Sequence, residues 1–259
     1  WPTAPRRLAR RCLRRLGDTM LISHRYQFVY MKTFKTASTA AENALVPFCL
    51  APGTDPTIRP LPRETEHGII STGGNHGDDC WGGPHAPVKR IRAALGEELF
   101  DRYSKIAMVR NPFDKTVSAF FWRSKGHDVV LDISGLSRSQ LVSKFREFVQ
   151  TTGGDIRTRP GFHVDYEATH LGNQQVIDHW VRSEFLEDDM RRVCASCSME
   201  PMELRVGKSK TASRSGDRMP IADWYDRSTA DIVRNELGWM FAAGGYSLDP
   251  DDASRVLST

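Results

Sequence analysis

The chain has 259 residues, 39% of them hydrophobic and 26% charged, with 36 Lys and Arg against 32 Asp and Glu. That length can bury a sizeable core in one domain, and the composition is ordinary for a soluble globular protein. The formal net charge of +4 is mild and gathers at the N-terminus, which argues against a general nucleic-acid binder. No apolar run approaches the ~20 residues that a membrane span needs. Five cysteines, an odd and scattered set, make no disulfide framework. Cys194 and Cys197 form a C-x-x-C, but no second pair stands at zinc spacing, and both read as ordinary, partly buried thiols at a helix end.

Residues 1–19 form a basic extension. Arg6 to Leu16 has the pattern of a short amphipathic helix closed by Gly17, either packed loosely on the domain or docked to an anionic surface. The informative stretch is Gln27–Leu45. Phe28-Val29-Tyr30-Met31 predicts a buried strand, Lys32 to Thr36 a polar loop, and Ala37, Ala40, Ala41, Ala44 and Leu45 one narrow helical face. A strand turning through a short loop into a helix aims free N–H groups and the positive end of the helix dipole at one point, which suits a phosphate. Lys35 adds a full charge there, and Thr36, Ser38 and Thr39 add hydroxyls. The nucleoside-triphosphate P-loop shares the Lys-Thr but has two glycines that this loop lacks, so a single terminal phosphate, or a phosphate carrying one more small anionic group, fits better than a triphosphate.

Lys35-Thr36-Ala37-Ser38-Thr39 after an apolar strand resembles the 5′-phosphosulfate loop of sulfotransferases that use 3′-phosphoadenosine 5′-phosphosulfate (PAPS). Residues 47–87 follow as a long insertion rich in proline and glycine, read as facing substrate. At its end His85 precedes a helix predicted from Val88, Ile91, Ala94 and Leu95, with Gly96 as its stop. By itself a lone histidine is more often structural than catalytic. Many bacterial members of the family carry a histidine just before an Ile-Arg helix, here Ile91-Arg92, and the resemblance implies His85 as the general base.

Ile106 to Val109 predicts a second buried strand, and Pro112 opens a helix with Phe113, Val117, Phe120 and Phe121 on its apolar side. The strand ends in Arg110, where a nucleoside triphosphatase would need an aspartate for magnesium. A guanidinium can instead bind phosphate through paired hydrogen bonds. Arg110 with Ser118, eight residues on, resembles the 3′-phosphate site of PAPS enzymes. Leu141, Phe145, Phe148 and Val149 mark a further helix, Phe162 to Tyr166 a loop that could touch substrate or solvent, and Val176 to Val181 a third strand. The Arg182-Ser183-Glu184 that follows is read as structural. The basic loop at 204–214 is similar to one that folds over the nucleotide in the family, implying contacts from Lys208, Ser209, Lys210 or Arg214, with the choice among them open. A last helix is expected from Ala222 to about Phe241.

These elements predict an α/β fold, a P-loop-like three-layer sandwich with a central, mostly parallel sheet flanked by helices. One such domain spans residues 20–259. The resemblance implies sulfuryl transfer from PAPS to a hydroxyl, most fittingly on a carbohydrate, with PAP (3′-phosphoadenosine 5′-phosphate) as product and no metal required. Lys35 would be catalytic, and Thr36, Ala37, Ser38 and Thr39 would complete the donor loop. The sequence does not name the acceptor or the oligomeric state. Many relatives carry a proline just before the lysine, where this chain has Phe34. Met20 to His24 resembles the start of many bacterial members, which points to a cytoplasmic protein with an extension, a Golgi-lumenal domain being the alternative. The competing functions are a small-molecule kinase with a degenerate P-loop and a non-catalytic nucleotide-binding adaptor.

Overall fold

The computed structural model describes residues 21–57, 64–70, 86–123, 133–153, 164–201 and 219–253. The basic extension at 1–19 lies outside the described residues, as do 71–85 of the long insertion and 202–218. Strands β1 (Leu21–Ser23) and β2 (Phe28–Met31) lead to helix α1 (Ser38–Leu45) and a 3-10 turn at Val46–Cys49. Strand β3 (Gly68–Ile70), helices α2 (Val88–Leu95) and α3 (Glu97–Arg102), and strand β4 (Ser104–Val109) follow. Next come α4 (Pro112–Arg123), α5 (Arg138–Thr152), α6 (Val164–Thr169), and the short strands β5 (His170–Leu171) and β6 (Gln174–Gln175). Strand β7 (His179–Arg182), α7 (Leu186–Ser196), α8 (Arg227–Glu236) and α9 (Gly238–Gly244) complete the order. None of the described helices is long and apolar enough to cross a membrane.

The chain divides into two compact units, one from Trp1–Met108 with Val164–Val206, the other from Val109–His163 with Gly207–Thr259. The first is built on a five-stranded sheet in the order β3-β1-β2-β4-β7. The α/β arrangement is as expected, but the sheet is mixed. β2 and β4 run parallel, with Met31 opposite Ala107, while β1 is antiparallel to both of its neighbours. Residues alternate between the faces, as the pleat requires. Leu21, Phe28, Tyr30, Ile106 and Met108 pack with α1 and α7 on one side, and Ile22, Val29, Met31 and Ala107 pack with α2 and α3 on the other. Strands covered on both faces read as continuous apolar runs, and Phe28–Met31 is 0–1% exposed throughout. Each such side chain contributes roughly 1.5–3 kcal/mol by leaving water.

The segment 47–87, expected to be an irregular insertion, supplies the edge strand β3. Three residues are too few for a periodic signal, and the decisive one is Gly68. A Cβ there would sit 2.3 Å from the Ile22 carbonyl oxygen and 2.9 Å from that of Cys49. The third strand lies slightly later than predicted, at His179–Arg182. Asp178 fixes its start, accepting from Lys105 N–H at 2.8 Å while its own N–H donates to Lys105 O at 2.9 Å. The Arg182 segment is structural as read. Asp189, 1% exposed, accepts from Arg182 N–H, Nε and Nη2, each at 2.8 Å. Cys194 and Cys197 are buried free thiols at the end of α7, and burial raises the Cys197 pKa.

The described elements of the second unit beyond the end of β4 are helices and 3-10 turns. Phe113, Phe120, Phe145, Trp224, Tyr225 and Phe241 meet edge to face or tilted, with ring centroids 5.0–6.2 Å apart. The single helix predicted over 222–241 is three pieces, a 3-10 turn at Ile221–Trp224, α8 and α9. Tyr225 is extended, and Asp226 restarts the helix with a capping box to Thr229. Apolar periodicity does not register such a break.

Candidate functional site

Strand β2 ends beside its parallel neighbour β4, at the carboxyl edge where α/β sheets commonly place ligand loops. Residues 32–37 turn there into α1. Lys35 has φ 58° and Ala37 has φ 59° and ψ 19°, so two residues with side chains occupy the left-handed region on either side of Thr36. Each such conformation costs roughly 1–2 kcal/mol. Backbone that alternates in hand turns successive N–H groups toward a common hollow, a shape that receives anions. Ala37, the N-cap of α1, offers no side-chain acceptor, and the first turn holds no acidic residue. The first turn of the helix thus brings no carboxylate of its own to offset the positive end of the dipole.

Several bonds hold the loop in this shape. Thr33, 1% exposed, donates its hydroxyl to Met108 O on β4 at 2.7 Å and lies 2.8 Å from Thr36 Oγ1. The Thr36 hydroxyl, also 1% exposed, is 3.3 Å from Thr33 O, so it braces the loop from inside. Phe34 N–H donates to Asp165 Oδ1 at 2.8 Å. Tyr30 donates its hydroxyl to Ser38 O at 2.8 Å, tying the strand to the start of α1. Burial, with the Glu42 charge second, holds the Tyr30 phenol well above its ordinary pKa and keeps it a neutral donor. Lys32 Nζ meets Glu42 Oε2 at 2.5 Å, joining the end of β2 to the middle of α1. Ser38 is buried, Lys35 half-buried and Thr39 exposed.

In the second unit Arg110 stands in the two-residue turn between β4 and α4. Its Nε donates to Asp114 Oδ2 at 2.7 Å, and Nη2 lies 2.5 Å from the same oxygen. Asp114 is one helical turn on, at i+4, so the pair orients the guanidinium. Asn111 Oδ1 accepts from Phe113 N–H at 3.0 Å, opening α4 as an N-cap residue does. Ser118 is half-buried and two turns after Arg110, as its spacing predicts.

Lys35, Thr36, Ala37, Ser38 and Thr39 therefore form one continuous turn-to-helix unit, and Arg110 and Ser118 share another. His85, Lys208, Ser209, Lys210 and Arg214 lie outside the described residues. The loop reading of Phe162–Tyr166 needs correction in its described part, since Val164 opens α6 and Asp165 is buried at 2% exposure. Thr33, Asp114 and Asp165 were not singled out by the sequence. The i+4 spacing of Asp114 from Arg110 is a signal that could have found it. Nothing local marks Asp165, which is 131 residues from its partner Phe34.

The sulfotransferase family model matches residues 18–200, well over half of the chain. The chain belongs to the sulfotransferase family. No match was found among curated proteins or among solved structures. The matched span of this sulfotransferase takes in the Lys35 turn, His85, Arg110, Ser118 and Asp165, and ends before the basic loop at 204–214. Two of its described histidines are held below the ordinary imidazole pKa by burial. His24 lies with Nδ1 2.9 Å from the Tyr103 hydroxyl, and His170 stacks on Tyr166 with ring centroids 3.9 Å apart.

Proposed function

We propose that this sulfotransferase moves the sulfuryl group of PAPS to an acceptor hydroxyl, most fittingly on a carbohydrate. One observation carries the reading. A lysine stands in a left-handed turn between a fully buried strand and an uncapped helix N-terminus. Such a turn gathers a full charge, backbone N–H groups and the helix dipole on one anionic group. In the proposed reaction the acceptor oxygen attacks sulfur, and the bond from sulfur to the 5′-phosphate oxygen breaks in line with it. Lys35 and the N–H groups of the turn and first helical turn neutralise the charge that grows on that oxygen. In this reading Ser38 and Thr39 add hydroxyl donors, while Thr36 and Ala37 contribute through backbone shape.

Arg110, oriented by Asp114, and Ser118 hold the 3′-phosphate in this reading, so that binding energy remote from sulfur fixes its position. In this reading the basic loop at 204–214 contacts the nucleotide through Lys208, Ser209, Lys210 or Arg214. His85 takes the proton from the acceptor hydroxyl as the oxygen attacks. Lysine and a helix terminus supply the positive charge, so the reaction as proposed calls for no metal ion.

Calorimetric titration with PAP in the absence of metal, and in parallel with ATP and magnesium, tests the assignment. The expected result is metal-independent binding of PAP that Arg110→Ala weakens. Lys35→Ala should mainly lower kcat in a donor-turnover assay. Unaltered PAP affinity in Arg110→Ala removes that residue from the site, and binding of ATP with magnesium alone replaces the donor reading with a kinase.

A further inference from the structure

We propose that Asp165 is a positioning residue that holds the Lys35 turn in its anion-receiving shape. The proposal rests on the reading of that turn as the site of the donor's 5′-phosphate. Asp165 is 2% exposed, and its Oδ1 accepts the N–H of Phe34, the residue directly before Lys35, at 2.8 Å. By charge alone, a buried carboxylate near a turn that is to receive an anion opposes the ligand. The bond to Phe34 gives it a positioning role there, since a carboxylate accepting a backbone N–H holds a peptide plane more firmly than a neutral acceptor does.

The carboxylate is itself mounted firmly. Asp165 lies in the first turn of α6, its carbonyl oxygen accepts from the Thr169 hydroxyl at 2.6 Å, and Ala168 and Thr169 are 0–1% exposed. On the other side of Phe34, Thr33 is fixed to Met108 O of β4 at 2.7 Å. Consecutive residues are thus anchored to two separate elements just where the chain must enter the left-handed conformation of Lys35, φ 58°. Strained backbone persists only where its surroundings over-determine it. Asp165 supplies one such determinant, and in this proposal it does so without touching the ligand.

The affinity ratio of PAP to adenosine 3′-monophosphate isolates the 5′-phosphate contribution, and it is measured by calorimetry on the full chain. Asp165→Ala, or Asp165→Leu should the alanine variant not fold, is expected to lower that ratio about tenfold. Affinity for adenosine 3′-monophosphate is expected to stay within about twofold, because the loss is local to one phosphate. Asp165→Asn keeps an acceptor oxygen in place and is expected to hold the ratio within about threefold of wild type. An unchanged ratio in a folded Ala or Leu variant overturns the proposal. So does an equal loss for both nucleotides, or an Asn variant as weak as the Ala one. A wild-type chain that binds PAP no better than adenosine 3′-monophosphate overturns the donor assignment itself, and this proposal falls with it.

Discussion

Replacing Glu42 by Gln removes the carboxylate that meets Lys32 Nζ at 2.5 Å, between side chains only 14% and 7% exposed. At that separation and an effective dielectric of ~20, the Coulomb attraction is about 6–7 kcal/mol. Solvent screening and side-chain freedom at this partly exposed site reduce it to a coupling of about 2 kcal/mol. Glu42→Gln and Lys32→Met are each expected to lower stability by about 2–3 kcal/mol, because each removes one charge of a largely buried pair. The double variant should lose about 2 kcal/mol less than the sum of the two single losses. Urea unfolding followed by both fluorescence and circular dichroism provides the measurement, and coincident transitions license a single free energy. Additivity within about 0.5 kcal/mol would refute the reasoning. Should His85→Ala keep near-normal turnover, Glu42 is the next candidate to take the acceptor's proton, and the Glu42→Gln variant tests it. A folded Glu42→Gln enzyme with kcat lowered ~10²–10⁴-fold and donor KM unchanged would make it the base and its pairing with Lys32 incidental.

Asp189→Ala should destabilise by about 3 kcal/mol, since it strips Arg182 of three bonds to a carboxylate 1% exposed; denaturant midpoints check this, and a loss under ~1 kcal/mol contradicts it. Ala37→Gly should raise the melting temperature slightly, because glycine adopts φ 59° without the ~1–2 kcal/mol penalty. The same change should weaken PAP binding about two- to fivefold as the turn loses preorganisation, and tighter binding would count against a preset turn. His24 and His170 are both held below the ordinary imidazole pKa by burial, so the folded chain favours their neutral forms. The unfolded chain then binds protons more readily, and this stability contribution is complete above about pH 6.5 and is lost as pH falls through the lowered folded values. Melting temperature should drop between pH 7.5 and pH 5.5, and His170→Asn should shrink the drop. An identical drop in the variant removes His170 from the account.

Features written into neighbouring residues were legible in the sequence. Strand β2 begins and ends where the apolar run does, α2 buries Val88, Ile91, Ala94 and Leu95 and stops at Gly96, and Pro112 opens α4. The Lys35 turn and the Arg110–Ser118 spacing belong to the same class, because each is set within a dozen residues. What the sequence hid is non-local or conformational. β3 exists because Gly68 lets its backbone approach Ile22 and Cys49, a steric condition set by residues elsewhere in the chain. The left-handed φ of Lys35 and Ala37 runs against their propensity, and the bond from Phe34 to Asp165 spans 131 residues. No periodicity or spacing rule reports on either.

The absence of glycine from this loop bears on its function. Glycine would reach the left-handed region freely, but it would also leave the empty loop with many conformations to lose on binding. Lys35 and Ala37 enter that region at a cost of roughly 1–2 kcal/mol each, and only bonds from outside the loop can offset it. Thr33 on Met108 O, Phe34 on Asp165 and Tyr30 on Ser38 O are such bonds, and each closes on a buried or well-packed partner. A glycine-rich loop can wrap several phosphates because it adapts to them. A turn fixed in advance by three separate tethers suits a single small anion of constant shape, and it loses little entropy in taking it. The donor chemistry proposed for this sulfotransferase asks for such a turn, since the charge developing at one phosphate oxygen has to be met by donors already in place.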